Sequence, residues 1–242
     1  MDWTNRIVEG EGWGAARPDA GEKAQARAIA KGEASRQARE NLFRVIERLR
    51  IDEERIGEHL LAKREGAREK LRRVLQDARI VEVSFADGGR VKATVALSLS
   101  GGVLDLLLPE SIKPIHPLHQ PGKSNTEIKV SHSGLIVDAR GCEIQPALVP
   151  RILDEEGKIV YGPEYMNRDF AAQTGTAVYI KDMESALKVE RIGQNPLVFE
   201  SVRKTEAAPT DVIISNADAE QVRGSAGNIQ LLRKCRVVIV LD

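Results

Sequence analysis

Cysteine is scarce in this sequence, and so are the patterns that bind metals through it. The 242 residues include two cysteines, Cys142 and Cys235, and neither has the CxxC neighbour of a zinc site. Two isolated cysteines are expected either as small buried hydrophobic residues or as one disulfide, which requires an oxidising compartment. The sequence leaves both alternatives open.

An excess of charge of one sign is also absent. Basic and acidic residues number 36 each, so the chain has no overall field that would attract a nucleic-acid backbone or an anionic membrane. The mildly basic segment from Glu22 to Arg79 interleaves its charges, which is typical of solvated helix faces. We therefore expect no nucleic-acid partner.

Long hydrophobic runs are absent as well. No apolar run reaches the roughly 18 residues of a membrane-spanning helix, so we expect no spanning segment. The opening "MDWTNRIVEG" has neither the basic n-region nor the apolar h-region of a signal peptide, and we expect none within this chain.

Motifs that carry catalysis or bind ligands are incomplete. "GEGWG" lacks the third glycine of a dinucleotide fingerprint and the Gly-Lys-Ser/Thr of a P-loop. "HPLH" (His116, His119) lies among prolines, and "SHSG" around His132 has no nucleophile elbow. Asp154 and Glu156 occupy a predicted hairpin tip, where solvation would keep their pKa values ordinary. We predict that the chain is not an enzyme and has no cofactor or metal site.

The first half of the chain shows strand and helix periods in turn. "RIVEGEGWGAARPD" predicts an opening strand that ends in a Pro-Asp turn, and residues 20–51 predict a long helix. The apolar face of this helix starts with small residues and ends with large ones: Ala26, Ala30, Ala34, Ala38, Leu42, Val45, Ile46 and Leu49. A helix packed on its own sheet is the simpler interpretation. Contact with a partner chain is the alternative, and it makes Ala30 and Ala34 interface candidates.

The rest of the first half predicts a compact α+β unit. Helical patterns continue with breaks near Gly57 and Gly66, and two alternating strands joined at Asp87–Gly89 follow. An Asp-Gly pair between alternating runs is a strong hairpin signal. "GGVLDLLLPESI" closes this part as a short helix. Residues 1–108 are therefore predicted to form a domain of helices on a small antiparallel sheet.

A proline-rich linker and a second α+β domain are predicted to follow. Residues 109–127 contain four prolines, which favours an extended, semi-rigid connector. Residues 128–242 predict short strands and helices, among them two strands around a turn at Asp154–Gly157. Helix ends are predicted at Gly175 and Gly193.

The end of the second domain predicts a strand, a helix and a strand. "DVIIS" and "RVVIVL" are nearly continuous apolar runs, as expected of central strands covered on both faces. Asn216 or Asp218 is predicted to cap the helix between them.

"SGLIVDARG" places a carboxylate and a guanidinium at the end of an apolar strand. In a strand, Asp138 and Arg140 share a face and lie about 7 Å apart. We interpret them as a structural ion pair or as an acceptor and donor for a neighbouring chain, with Gly141 marking where the strand emerges. Asp138 and Arg140 are therefore interface candidates as well.

The long helix and the hairpin together resemble a known family. The pattern resembles the small outer-membrane lipoproteins that include flagellar basal-disc and ring assembly proteins, over residues 5 to about 100. The matching positions are Ala26, Arg27, Ala30, Ala34, Ala38, Asn41, Leu42, Ile46, Asp87 and Gly88. The start "VEGEGWGAARPD" is also similar to a periplasmic domain family that builds ring-like oligomers. The second half, with "GLIVDARG", "VYGPEY" and "IGQNPL", looks like a C-terminal domain of uncharacterised secreted bacterial proteins.

These resemblances imply assembly in the bacterial envelope. We expect a structural, self-assembling subunit of the cell envelope or surface, in a ring, disc, tube or filament, with itself and other envelope or flagellar proteins as partners. The periplasm, the outer membrane or the cell surface is the expected location. The alternative is a monomeric periplasmic binding or adaptor module that recognises another envelope protein.

Overall fold

Two compact units make up the chain. The computed structural model describes residues 1–15, 23–86, 89–114, 132–202 and 208–242. Unit 1 consists of Met1–Leu49 and Ile56–Leu99, and unit 2 consists of Arg50–Arg55 and Ser100–Asp242. Both units combine small sheets with helices, so the predicted two-domain α+β fold is confirmed.

The sheet of unit 1 has three antiparallel strands. They are β1 (Ile7–Ala15), β2 (Arg79–Ala86) and β3 (Arg90–Ser98), in the order β1-β3-β2. The two alternating runs pair as the sequence predicted, although Asp87 and Gly88 of the predicted turn lie outside the described residues, as do the Pro-Asp turn and the greater part of the linker. Side chains alternate between buried and exposed along β1 because successive strand residues point to opposite faces.

The helices of unit 1 follow the predicted breaks. They are α1 (Lys23–Arg48), α2 (Gly57–Lys63) and α3 (Ala67–Gln76). Gly66 precedes α3 with a φ of 69°, a left-handed conformation that glycine adopts without strain. Their apolar faces supply the core of the unit, with Leu42, Ile46, Leu61 and Leu71 fully buried or nearly so.

Residues Arg50–Arg55 leave unit 1 and become part of unit 2. The Asp52 carboxylate accepts hydrogen bonds from the backbone of Glu54 (3.1 Å) and Arg55 (2.9 Å), which turns the chain tightly after α1. The backbone nitrogens of Leu148 and Val149 then donate to the carbonyls of Arg50 (3.0 Å) and Ile51 (2.7 Å). No sequence pattern predicted that these residues belong to unit 2.

Unit 2 contains two sheets. The larger is parallel and comprises β4 (Leu135–Asp138), β7 (Val178–Ile180), β8 (Leu197–Glu200) and β10 (Val237–Val240), in the order β7-β10-β4-β8. The smaller comprises β5 (Arg151–Leu153), β6 (Ile159–Tyr161) and β9 (Asp211–Ile213), in the order β6-β5-β9. The predicted central position is therefore confirmed for β10, whereas β9 lies at an edge, although it is buried.

The helices of unit 2 are short. They are α4 (Gly101–Leu107), α5 (Arg168–Thr174), α6 (Met183–Leu187), α7 (Asn216–Arg223) and α8 (Ala226–Arg233). The single helix predicted between the last two strands is two helices, because the chain breaks at Gly224 and Ser225. Neither predicted residue caps α7; the Ser215 hydroxyl accepts from the backbone of Asp218 at 3.1 Å. No helix of the described residues is long and apolar enough to cross a membrane.

Helix α4 groups with unit 2, whereas the sequence placed it in the first domain. The Arg168 guanidinium donates four hydrogen bonds to residues near α4, to the Asp105 carboxylate (2.7 Å) and to the carbonyls of Asp105 (2.9 Å), Pro109 (2.9 Å) and Ile112 (3.2 Å). Residues 101–112 are thereby fixed to the start of α5. This contact joins positions far apart in the chain, so no local pattern predicts it.

Candidate functional site

The alanine face of α1 packs on a glycine face of β1. A Cβ atom placed on Gly12 would lie closer to the backbone of Ala34 and Ala38 than van der Waals contact allows. A Cβ atom placed on Gly14 would be equally too close to the backbone of Ala30. The backbones of the helix and the strand are therefore in direct contact. Glycine in the strand and alanine in the helix make this close approach possible. Glycine in "GEGWG" thus has a packing role.

Ala30 and Ala34 are fully buried in this contact. They form a cluster with Val91 and Ala93 of β3, and Val83 of β2 packs against it. The surface that these alanines provide is occupied by the chain's own sheet, as in the simpler interpretation of the sequence. This placement leaves neither side chain exposed for a partner chain.

Asp138 and Arg140 form an ion pair at the carboxyl end of the parallel sheet. The Arg140 guanidinium donates to both carboxylate oxygens of Asp138, from Nε at 2.9 Å and from Nη2 at 2.5 Å, and its backbone nitrogen donates at 3.2 Å. Strand β4 ends at Asp138, so Arg140 lies in the turn and reaches back. Gly141 continues the turn with a φ of 73°, and its nitrogen donates to the Asp242 carboxylate at 2.9 Å.

The electrostatics of this pair favour a structural role. The hydrogen bond from Arg140 lowers the pKa of Asp138 below its ordinary value, so this carboxylate stays ionised and is a poor proton donor near neutral pH. Arg140 also lies near the carboxylates of Asp182 and Asp242. With its side chain 46% exposed, Arg140 remains accessible to a partner, and both residues remain interface candidates.

Asp154 contradicts the expectation of a solvated hairpin tip. Its side chain is 3% exposed, and it accepts hydrogen bonds from Arg223 (2.8 Å) and from the backbone of Glu156 (3.0 Å) and Lys158 (2.8 Å). Burial raises the pKa of Asp154, but these bonds outweigh burial and the pKa is lowered overall. The carboxylate is thus a structural acceptor that fixes the turn between β5 and β6.

Both cysteines are free thiols. Burial raises the pKa of Cys235 to about 11, so the thiol is protonated at neutral pH and behaves as a small hydrophobic residue. Cys142 is half-buried, and its sulfur lies 3.7 Å from the Ser201 carbonyl oxygen. The sequence left open whether the two cysteines are bridged. In the structure, Cys142 and Cys235 form no disulfide.

Buried tyrosines also make structural contacts. The Tyr179 hydroxyl donates to the Ala147 carbonyl at 2.8 Å, and the Tyr161 hydroxyl donates to the Thr176 carbonyl. Burial raises the pKa of both phenols. Each stays protonated and connects a sheet to a neighbouring loop.

The cavities that described residues line include three whose walls can be compared with the predicted site residues. One of about 430 Å³ has Phe170, Arg191, Lys234 and Arg236 in its wall, and one of about 170 Å³ is lined by Arg151 and several carboxylates. The third, of about 210 Å³, lies between α1 and α3. Asp138 and Arg140 line none of the three. Within the described ranges, no group of three or more His, Cys, Asp and Glu residues is placed to hold a metal ion.

The two edges of the unit 1 sheet differ. At the β1 edge, side chains of α1 bond to the strand backbone: Gln37 accepts from the Trp13 nitrogen, and Asn41 donates to the Glu11 carbonyl at 2.7 Å. At the β2 edge, no hydrogen bond of this kind comes from any other described residue. Sequence reasoning missed this asymmetry, because it depends on which helix face lies over which edge.

Part of the chain is similar to a known domain. A family model described as the second domain of Treponema pallidum Tp0624 matches residues 134–242. The match lies within unit 2 and covers less than half of the chain, from β4 to β10. It brings no activity or partner with it. No curated protein matches this chain.

Proposed function

We propose that the chain is a structural, self-assembling subunit of the bacterial cell envelope, as the resemblance of its first half to small outer-membrane lipoproteins implies. The observation that supports assembly is the open edge of β2. An unprotected edge strand presents backbone donors and acceptors that another strand can pair with.

Strand β2 carries apolar side chains that the described residues of unit 1 leave about half exposed. Phe85 is 61% exposed and Val81 is 46% exposed. Helix α1 packs over β1 and β3. From α1, the Arg27 guanidinium lies 5.7 Å from the centre of the Phe85 ring. Burial of these side chains by a second chain would stabilise the assembly.

The regular part of β2 is complementary to itself. A register irregularity at Val81 ends before Glu82, and from Glu82 to Ala86 the strand pairs residue by residue with β3. If two copies pair antiparallel about Ser84, Val83 of each copy faces Phe85 of the other. Cross-strand apolar pairs of this kind stabilise a sheet by about 0.2–1 kcal/mol each.

A two-fold contact through β2 gives a dimer and closes on itself. A disc, ring or filament would therefore need a second contact surface. The accessible ion pair of Asp138 and Arg140 is the candidate that the sequence offers for it. Because a single strand pair buries less than the roughly 1,600 Å² of a standard interface, we expect the β2 contact alone to be weak.

Light scattering on the whole chain tests the proposal. Phe85→Lys places a charge on the open edge and should weaken self-association at least about tenfold, since it removes two apolar pairs and brings like charges together. Val45→Lys is the matched control, because Val45 is also a partly exposed apolar residue, on α1. Its association should equal that of the unchanged protein.

Two results would contradict the proposal. A chain that stays monomeric at high concentration does not self-assemble through β2, and the adaptor alternative would then be favoured. Equal association of the Phe85→Lys and Val45→Lys variants would show that any assembly uses another surface.

A further inference from the structure

The cavity between α1 and α3 in unit 1, the arginine cavity, has a composition that the proposed assembly does not use. Its volume is about 210 Å³, and its wall consists of Arg36, Arg39, Glu40, Phe43, Arg72, Leu75 and Gln76. Three arginines and one glutamate therefore line one small space. The sequence pattern of these helices predicted only a solvated, mildly basic face with interleaved charges.

Arg39 has a buried donor without an acceptor. Its Nη1 donates to the Ser35 carbonyl at 3.2 Å, which fixes the side chain along the helix. Its Nε is buried and has no hydrogen-bond partner among the described residues. The Arg39 guanidinium also has no acidic partner among the described residues, so its charge is not neutralised by an ion pair.

Arg72 presents its hydrogen-bonding edge in the same place. Its guanidinium stacks on the Phe43 ring, 4.4 Å from the ring centre, which holds the group flat. Within the described part of the chain it forms no ion pair and donates no hydrogen bond. A planar guanidinium held in this way is preorganised to bind two oxygens of one oxyanion.

The charge around the cavity is not balanced internally. Arg36 pairs with Glu40 at 2.7 Å, so this carboxylate neutralises Arg36. Arg39 and Arg72 are left without an acidic partner among the described residues. Phe43 and Leu75 are buried and form an apolar wall beside them.

From this arrangement we infer that the arginine cavity binds a carboxylate on a short aliphatic stem, as in an acidic peptide side chain. Arg39 and Arg72 would donate to the carboxylate, and Phe43 and Leu75 would contact the methylene groups. The volume suffices for one such side chain. The inference is independent of assembly through β2, which lies at the sheet edge.

Titration of the whole chain with N-acetylglutamate amide tests the inference, with backbone amide shifts in NMR as the readout. We expect saturable shifts at α1 and α3. The neutral isostere N-acetylglutamine amide should cause none, because it lacks the charge. Inorganic phosphate should bind more weakly, because it has no methylene groups for the apolar wall.

Arg72→Gln should weaken binding by about tenfold or more, as expected for loss of a charge-assisted hydrogen bond. Arg73→Gln is the matched control: it removes the same charge from the next position of α3, outside the cavity wall. Gln is a good helix former, so both variants should fold. Arg39→Gln provides a second test at the other donor.

Three outcomes would overturn the inference. The first is the absence of saturable shifts, and the second is an equal affinity of the Arg72→Gln and Arg73→Gln variants. The third is phosphate binding as tight as that of the glutamate derivative, which would contradict a carboxylate site. Neither the presence nor the absence of self-association changes these readouts.

Discussion

At the residue scale, the contact between α1 and β1 depends on single atoms. Gly12 lies against the backbone of Ala34 and Ala38, with no room for a methyl group. Gly12→Ala should therefore push the helix away from the sheet and cost roughly 1–3 kcal/mol of unfolding free energy, as overpacking does elsewhere. Urea unfolding of unit 1, followed by circular dichroism, measures this change.

Gly32 provides the control for this prediction. It lies in α1, where a Cβ atom would meet nothing within 4 Å. Gly32→Ala should stabilise the helix by about 0.5–1 kcal/mol, because alanine loses less backbone entropy than glycine. Equal effects of the two substitutions would show that α1 does not approach β1 at backbone distance.

The sequence predicted one side of this contact and missed the other. The alanines recur with a helical period, so Ala30 and Ala34 could be assigned to a packed face. The glycines of "GEGWG" were compared with phosphate-binding loops, and a single strand does not show which helix covers it. Asp138 and Arg140 could be paired because they are close in sequence, whereas Asp105 and Arg168 could not.

At the element scale, Arg168 decides where α4 belongs. Its side chain is 15% exposed, and its four hydrogen bonds go to residues 105–112. Arg168→Gln should reduce the stability of unit 2 by about 1.5–3 kcal/mol, the usual contribution of a hydrogen bond to a charged group. Hydrogen exchange should accelerate at α4 and leave α1 unchanged.

An exposed ion pair gives the comparison for Arg168. Lys188 pairs with Glu184 in α6, where both side chains are largely exposed. Lys188→Gln should change stability little, since solvent screens such pairs. If Arg168→Gln had an equally small effect, α4 would be held by its apolar side alone, through Val103, Leu104 and Leu107.

Periodicity predicted the elements better than their partners. The periods of 2 and 3.6 residues located the strands and helices of unit 1, including the breaks at Gly57 and Gly66. The split between α7 and α8 was missed because the residues before Gly224 and after Ser225 have the composition of one continuous helix. The arginine cavity was missed because a helix pattern shows a charged face but not the second helix beside it.

At the scale of the whole molecule, unit 2 depends on residues from the first half of the chain. Arg50 and Ile51 accept hydrogen bonds from Leu148 and Val149, and Glu53 pairs with Arg151. The predicted second domain, 128–242, lacks this segment and α4. We expect that fragment to unfold at a lower urea concentration than unit 2 does in the whole chain.

A longer fragment separates the two contributions. Residues 100–242 restore α4 and its bonds to Arg168 but still lack Arg50–Arg55. Their unfolding midpoint should lie between those of the short fragment and the whole chain, as followed by circular dichroism. A short fragment as stable as the whole chain would show that Arg50–Arg55 and α4 do not stabilise unit 2.

The central position of β10 has a consequence for synthesis on the ribosome. Strand β10 lies between β7 and β4, so until it is synthesised β7 has no partner in the larger sheet and β4 can pair only with β8. About 100 residues separate β4 from β10, which corresponds to roughly 5–20 s of translation. During that interval β7 and one edge of β4 are unpaired, and a chaperone that binds exposed apolar segments can bind them before the sheet is complete. Slow codons placed before β10 should therefore lower the soluble yield more than slow codons placed after β3.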